Sequence, residues 1–349
     1  MTSASSDLQR RTIRQPRLPR WAVGATAAGL VALAVLLFAF TGFAGTVDFI
    51  VVATLLLVLG VPAASWAVEG RRKATDRLAS SATLVALVLT VLPLIFVVGY
   101  VVKRGLEAFN WAFLTSEDTA GPLAAGGGIA QAVIGTLQQV LIASVIAVPI
   151  GLLVAIYITE YGSNKFSTAV RFLVDVMTGI PSIVAGLFVL AFWVLGAHQS
   201  ASGFAGAIAL TIIELPIIVR ASEEMLRLVP GALREASYAL GIAKWKTILR
   251  VIVPAASTGI TTGIMLGIAR VIGETAPVLL VVGNNSFINW NAFKGNQASL
   301  PVYIFQHAQS SSNYDVDRAW AAALTLILVV VILYVSARLL TRRNRLVGW

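Results

Sequence analysis

The chain contains a succession of long, uninterrupted apolar runs, and these constrain its fold more than any other feature. The hydrocarbon core of a bilayer is about 30 Å thick and each helical residue rises about 1.5 Å, so a membrane span needs roughly 20 apolar residues. The runs are continuous and rich in Leu, Val and Ala, whereas the strands of a membrane β-barrel show short alternating segments. Eight runs are long enough to be predicted as spans, near residues 22–42, 47–68, 78–102, 129–159, 171–195, 204–220, 257–282 and 319–340.

The overall composition agrees with this interpretation. Hydrophobic residues make up 58% of the chain and charged residues 12%, whereas about a quarter of the residues of a soluble domain are charged. The sequence therefore predicts an all-α fold, a polytopic membrane helical bundle with about eight transmembrane helices. The fourth run is long enough to consist of two pieces, and the sixth is the shortest.

Basic residues give the chain a formal net charge of +10, and their distribution argues against nucleic acid as the partner. They form clusters that alternate with the spans, so the positive-inside rule places the clustered loops in the cytoplasm. Both termini and the segment 221–256 are then expected to be cytoplasmic. The clusters lie in residues 10–20, 71–77, 165–171, 220–250 and 338–345, and the intervening loops contain only Lys103, Arg104, Lys294 and Arg318.

The chain divides into three parts by these signals. Residues 1–77 are predicted to be a basic N-terminal segment and a two-helix hairpin, which is uncleaved because its first apolar run is as long as a full span and a second span follows. Residues 78–340 contain the other six spans and are predicted to be one functional unit. Residues 341–349 are a short basic tail, predicted to be cytoplasmic.

Prolines occur in three consecutive predicted spans, at Pro181, Pro216 and Pro277. A proline inside a helix removes one backbone donor and is expected to kink it. Three bent helices would suit a bundle with internal cavities. Prolines tolerated by a static bundle remain an equally good interpretation of each one alone.

The seventh predicted span combines small residues with charges. Gly259, Gly263 and Gly267 are spaced by four, so they form a stripe against which another helix can pack closely, and the same face continues to Arg270 and Glu274. Arg270 is expected about 20 Å into this span. A charge at that depth costs at least about 2.5 kcal/mol, so it needs a partner or water. Two interpretations follow: a self-neutralising Arg–Glu pair, or an ion pathway lined by both residues.

Three further ionisable residues lie in or near the fifth and sixth spans. Arg220 ends the sixth span, where a side chain that reaches to the membrane surface explains it as well as a function does. Glu214 lies about two turns earlier and is expected to pair with one of the arginines. Asp175 is expected to pair with Arg171, one turn before it.

The polar segment 221–256 interrupts the apolar runs and is predicted to contain two short amphipathic helices. Pro230 suits the first turn of a helix over 231–240, Gly241 suits a left-handed cap that ends it, and residues 243–252 begin a second helix. Composition alone leaves two interpretations open: a docking site for a cytoplasmic protein, or helices lying on anionic lipid.

Within this segment the chain reads EASYALG, then nine residues, then VIVP. This resembles the cytoplasmic loop of bacterial ABC-importer permeases, the inner-membrane components of binding-protein-dependent transport, whose pattern is E-A-A, three residues, Gly, nine residues, then I-x-L-P. The residues that match are Glu235, Ala236, Gly241 and Pro254, while Ser237, Val251 and Val253 are conservative departures. The resemblance implies that the loop inserts a coupling helix into a groove of the ATP-hydrolysing subunit.

Over residues 78–340 the chain is similar to the PstA-type permease family of phosphate importers, by the segments GGGIAQAVIGTL, GIPSIVAGLF, ELPIIVRASEEMLRLVP, GIARVIGETAPVLL and LPVYIF in that order. The resemblance implies import of inorganic phosphate across the bacterial cell inner membrane. It also implies a heterodimer with a second permease subunit, a dimeric ABC ATPase subunit and an external phosphate-binding protein. The basic pathway residues of the family correspond to Arg220 and Arg270, with Glu274 balancing their charge; the first two spans are extra to the family's six-helix pattern.

Several kinds of active site are excluded or not expected. The chain contains no cysteine, and His198 and His307 are too far apart in sequence to suggest a ligand pair, so neither a metal nor another cofactor is expected. No phosphate-binding loop of the form G-x-x-x-x-G-K-[ST] occurs, so ATP hydrolysis must take place on a separate subunit and no catalytic residue is expected.

Three alternatives remain. The transported substrate could be another oxyanion such as sulfate. A proton-coupled secondary transporter would use Glu214 or Glu274 as a relay and would need no ATPase. A non-transporting assembly or sensor subunit would keep the docking loop without needing charges at membrane depth.

Overall fold

The computed structural model describes residues 19–41, 46–121, 124, 126–162 and 164–345, and every regular element in this part of the chain is a helix. The basic stretch expected before residue 19 and the end of the tail after residue 345 lie outside the described residues. The chain forms two compact units, Met1–Gly99 and Tyr100–Trp349. The helices are α1 (Arg20–Thr41), α2 (Thr46–Glu69), α3 (Arg71–Ala108), α4 (Trp111–Thr115), α5 (Ala130–Glu160), α6 (Lys165–Thr178), α7 (Ser182–Val189), α8 (Gly203–Arg227), α9 (Gly231–Ala239), α10 (Lys244–Thr247), α11 (Val253–Val271), α12 (Ala276–Leu279), α13 (Leu300–Ala308) and α14 (Asn313–Arg345).

The helices confirm the prediction of an all-α membrane bundle. Six helices in the described residues are long and apolar enough to cross a membrane. The number of candidate spans rises to seven if the bent pair of α6 and α7 is counted as one span. The first predicted span corresponds to α1, whose apolar part Gly24–Ala39 is shorter than the six spanning helices. The fourth is one helix of 31 residues rather than two pieces, and the sixth, expected to be the shortest, is part of the 25-residue α8.

In the N-terminal unit α1 and α2 pack against each other. Gly60 of α2 leaves room for the side chain of Leu30, which a Cβ at that position would contact. The rings of Phe38 and Phe49 meet edge to face, with centroids 5.2 Å apart. The predicted domain boundary at residue 77 stays a prediction.

The fifth predicted span is broken, which corrects the expectation of one kinked helix. α6 ends at Thr178, α7 begins at Ser182, and the two helices are bent by 103°. A helix that continued through Pro181 would lose a backbone hydrogen bond and force the proline ring onto the preceding turn. A π-helical segment, Leu190–Gly196, then extends α7. Pro216, in contrast, lies inside α8 without interrupting it.

The seventh predicted span also differs from expectation, because its helix starts and ends earlier. α10 continues through the π-helical segment Ile248–Ile252 into α11, so one continuous candidate span runs from Lys244 to Val271. It stops before Pro277, which lies in the first turn of the separate helix α12. The backbone of α12 lies directly against Gly186 of α7, where a Cβ would be 2.6 Å from the Cα of Pro277.

The core of the second unit is formed by α5, α8 and α11. The glycine stripe of α11 faces α8, as the spacing predicts: Gly259 lies against Met225, Gly263 against Ala221 and Gly267 near Ile218. Small residues let the two backbones approach, so van der Waals packing can hold the helices together where lipid provides no hydrophobic driving force.

Replacing Gly263 with alanine is expected to lower the free energy of unfolding by about 1–3 kcal/mol, since the new methyl group would collide with the side chain of Ala221. The matched control is Gly267→Ala, whose Cβ would lie 3.4 Å from Ile218, at ordinary contact distance. Thermal unfolding of the purified protein in detergent measures both. Equal effects of the two substitutions would contradict the proposed close approach at Gly263.

Candidate functional site

Arg270 lies in the last turn of α11, which corrects the expectation that it is in the middle of a continuous span. Its side chain is 64% exposed in the isolated chain, and its Nε is 3.9 Å from Oε1 of Glu274. That separation is an ion pair without a hydrogen bond. Glu274 itself follows the end of the helix, where its N–H donates to the carbonyl of Val271. The guanidinium group therefore retains donors for an incoming anion.

Arg220 occupies a different environment from Arg270. It is bound by two carboxylates, Asp175 of α6 and Glu223 of its own helix, the latter at 2.9 Å from Nη1. The expected pair between Asp175 and Arg171 is wrong, because Asp175 contacts Arg220 and Arg171 reaches Glu223 at 3.2 Å. The short sequence spacing favoured a pair along α6, but both side chains point across to α8.

Glu214 is fully buried inside the bundle. Its Oε1 accepts a hydrogen bond of 2.9 Å from the hydroxyl of Ser144 on α5. The expected pairing with an arginine is not seen: in the described part of the chain it forms no ion pair, and its Oε2 has no hydrogen-bond partner. The structure therefore does not bring Glu214 together with Arg220 or Arg270.

The loop between α8 and α11 folds as the sequence predicts. Pro230 precedes the first turn of α9, and Gly241 adopts a φ of +74°, a left-handed conformation that costs little only for glycine. Ser237 is buried and its hydroxyl lies 2.8 Å from that of Thr247, so it ties the two short helices together. Glu235, Ala236 and Pro254 are exposed.

Apolar side chains are exposed on the same loop. Leu240 is 79% exposed and Leu228 72%, and Trp245 is also open to the surroundings. A basic segment with such an apolar surface suits either of the two interpretations from sequence, protein docking or membrane contact.

Sequence reasoning missed the residue that anchors this loop. Arg234 of α9 binds Glu160 at the end of α5, with Nη2 to Oε1 at 2.8 Å, and also donates to the carbonyls of Val229 and Leu226. The two charged residues are 74 positions apart, so no local pattern could reveal the pair. The contact fixes α9 to the end of α5.

Sequence reasoning also missed a cluster between the start of α14 and the loop before α5. Arg318 of α14 is 4% exposed and contacts Asp118 and Asp315 at 3.4 and 3.3 Å. It also donates to the carbonyls of Gly121 and Ala124, so it holds the loop before α5 in place. His307 contributes an imidazole 3.5 Å from Asp118 and is only partly exposed.

Comparison with known proteins identifies the family of the chain. Residues 147–346 match the family described as "Binding-protein-dependent transport system inner membrane component". The chain is 46% identical over 284 residues to a phosphate transport system permease protein PstA 1 of Mycobacterium tuberculosis, covering 79% of this chain and 92% of that protein. It is 45% identical over 265 residues to a phosphate transport system permease protein PstA of Mycobacterium leprae, with coverages of 74% and 86%.

A solved structure shows the same fold. The bacterial alginate ABC transporter in complex with an alginate pentasaccharide-bound periplasmic protein has a chain that aligns with a TM-score of 0.55 and 15% identity, covering 77% of this chain and 97% of that one. The shared fold and the sequence matches agree with one another. The chain therefore belongs to the family of binding-protein-dependent transport system inner-membrane components, and within it to the PstA-type permeases.

Proposed function

We propose that this chain is one of two permease subunits of an ATP-driven importer that moves inorganic phosphate into the bacterial cytoplasm. The observation that carries the proposal is the 46% identity over 92% of the length of a phosphate transport permease. The chain is a transport component rather than an enzyme. Its partners are a second, similar permease, a dimeric ABC ATPase and an external phosphate-binding protein.

The orientation follows from the charge distribution. Both termini and the loop that contains α9 face the cytoplasm, because the basic clusters lie at that end of the spans. The segment 284–318 then faces outward, where Trp290 and Phe293 are 73% and 62% exposed. Exposed aromatic side chains are common anchors in protein interfaces, so this surface is where the binding protein docks.

The loop around α9 couples the bundle to the ATPase. Leu240 and the neighbouring apolar side chains enter a groove of the ATPase, while Glu235, Ala236 and Gly241 define the shape of the inserted helix. The ion pair between Arg234 and Glu160 transmits the movement of α9 to α5. Closure of the ATPase on ATP then alternates access between the two sides of the membrane.

The pathway itself needs a weak, positively charged contact. Phosphate carries one to two negative charges near neutral pH, and the planar guanidinium group offers forked donors that match its oxygens. Arg270 has the more accessible donors, Arg220 lies nearer the cytoplasmic end, and Glu274 balances the charge of Arg270 when no anion is present. A tight site could not release phosphate, so selectivity resides chiefly in the binding protein.

The proton-coupled alternative is less well supported by the geometry. Glu214 is fully buried between α5 and α8 and bonded to Ser144, so it lines no open path for a proton relay in this conformation. Glu274 forms an ion pair with Arg270 rather than with a second carboxylate or a histidine among the described residues.

Uptake of labelled phosphate by vesicles that contain the complete purified complex tests the function. We expect uptake that requires enclosed ATP and the phosphate-loaded binding protein, that proceeds without a proton gradient, and that excess sulfate does not reduce. Uptake driven by a proton gradient alone, or competition by sulfate at equal concentration, would overturn the proposal.

A further inference from the structure

Five charged side chains cluster where α6 packs against α8, at the end of the bundle next to α9. Glu223 is 2% exposed, and its carboxylate binds Arg171, Arg220 and Arg227 at 3.2, 2.9 and 2.5 Å. Asp175 contacts Arg220 from the other side. Three guanidinium groups thus share two carboxylates, which leaves one positive charge in excess.

The geometry of this cluster explains how like charges are held together. Three guanidinium groups repel one another, and a buried carboxylate between them offsets that repulsion because Coulomb energies are larger away from water. Glu223 lies three and four residues from Arg220 and Arg227 on α8, so a single helix face presents all three to Arg171 of α6. Glu223 is the organising residue.

The arginines retain unused donors. Among the hydrogen bonds in the described residues, Arg171 donates only from Nε and Arg227 only from Nη2, and their side chains are 34% and 55% exposed. Arg234 in the same region differs, because Glu160 and two backbone carbonyls engage all three of its nitrogens. Every guanidinium nitrogen of Arg234 is therefore engaged, whereas Arg171 and Arg227 keep donors that form no hydrogen bond among the described residues.

We propose that Arg171, Arg220 and Arg227 form a binding site for a phosphate-type oxyanion at this end of the bundle, with Glu223 as the positioning residue that holds them in place. The excess charge attracts the anion, and the free guanidinium edges supply forked donors that match phosphate oxygens. The anion is either free phosphate leaving the pathway or the phosphate group of an anionic lipid headgroup. The free-phosphate form rests on the proposed function, because that function places this end in the cytoplasm.

The experiment uses the complete complex in phosphatidylcholine vesicles loaded with ATP and increasing inorganic phosphate, and measures initial uptake of labelled phosphate. Internal phosphate that binds this arginine site should inhibit further uptake from inside the vesicle. We expect the half-inhibitory internal concentration, taken relative to each variant's own uninhibited rate, to rise about tenfold in Arg171→Gln and in Arg227→Gln. Arg227→Lys, which keeps the charge, should recover most of the sensitivity.

The control is Arg104→Gln, which removes a partly exposed, ion-paired arginine far from the cluster in sequence and should leave the inhibition unchanged. A second arm replaces the lipid with an equal mixture of phosphatidylcholine and phosphatidylglycerol, without internal phosphate. If anionic lipid changes the uptake rate of the parent complex and Arg227→Gln abolishes that change, the ligand is a headgroup phosphate.

Two failures are distinguishable. A parent complex that takes up no phosphate contradicts the proposed function. A parent complex that transports phosphate, but whose internal inhibition and lipid response are the same in Arg171→Gln and Arg227→Gln, overturns the oxyanion site and leaves the cluster as a structural ion-pair network.

Discussion

Replacing Arg270 with glutamine is expected to reduce ATP-driven phosphate uptake by about tenfold to a hundredfold. The change removes the positive charge while keeping a side chain of similar length, and a hydrogen bond to a charged group contributes about 1.5–3 kcal/mol. Arg270 is 64% exposed and pairs with Glu274 only at 3.9 Å, and Glu274 is itself 20% exposed, so the loss of Arg270 leaves no fully buried charge without a partner. The complex should therefore still assemble.

The measurement is labelled phosphate uptake together with size-exclusion chromatography of the complex. Arg104→Gln is again the matched control, since Arg104 likewise pairs with a carboxylate about one turn further along the chain, at 3.0 Å from Glu107. Arg270→Lys should retain intermediate uptake, because it keeps the charge but loses the forked donors. Normal uptake by a correctly assembled Arg270→Gln complex would remove Arg270 from the pathway.

Replacing Gly241 with valine is expected to uncouple ATP hydrolysis from transport or to release the ATPase. The φ of +74° at this position costs a residue with a side chain about 1–2 kcal/mol, and a β-branched residue more. The turn between α9 and α10 would then open, and the coupling helix would lose its orientation. ATPase activity stimulated by the phosphate-loaded binding protein should fall severalfold, and uptake should fall with it.

Two companion variants separate backbone strain from simple bulk. Gly231→Val places the same side chain at a position that is equally open but does not have a positive φ, so it should have little effect. Gly241→Asn should recover much of the activity, because asparagine tolerates the left-handed conformation. Equal losses in Gly231→Val and Gly241→Val would show that the surface, and not the turn, is what coupling requires.

Local patterns in the sequence predicted the parts of the structure that depend on local chemistry. The apolar runs correctly indicated α2, α3, α5, α8 and α14, since length and composition decide whether a helix can cross a membrane. The spacing of the glycines in α11 indicated the close contact with α8, and Gly241 indicated the left-handed turn, because only glycine adopts that conformation without strain.

Side-chain pairing and helix breaks depend on the rest of the fold. Arg171 and Asp175 have the spacing of a local pair, but each finds its partner on α8. Pro181 breaks its span and Pro216 does not, although both follow apolar residues in the sequence. Pro216 is buried in α8, which packs against α5 and α11, and neighbouring helices can satisfy the backbone groups that a membrane proline frees.

The accessibility of position 270 to water decides whether phosphate passes Arg270. The chain has no cysteine, so Arg270→Cys introduces a single thiol into it. In the assembled complex, a membrane-impermeant, charged methanethiosulfonate reagent should modify this thiol, and modification should slow when phosphate-loaded binding protein and ATP are supplied together. A thiol that stays unmodified in every nucleotide state, in a complex that still assembles, would show that position 270 is sealed from the pathway and would contradict the mechanism.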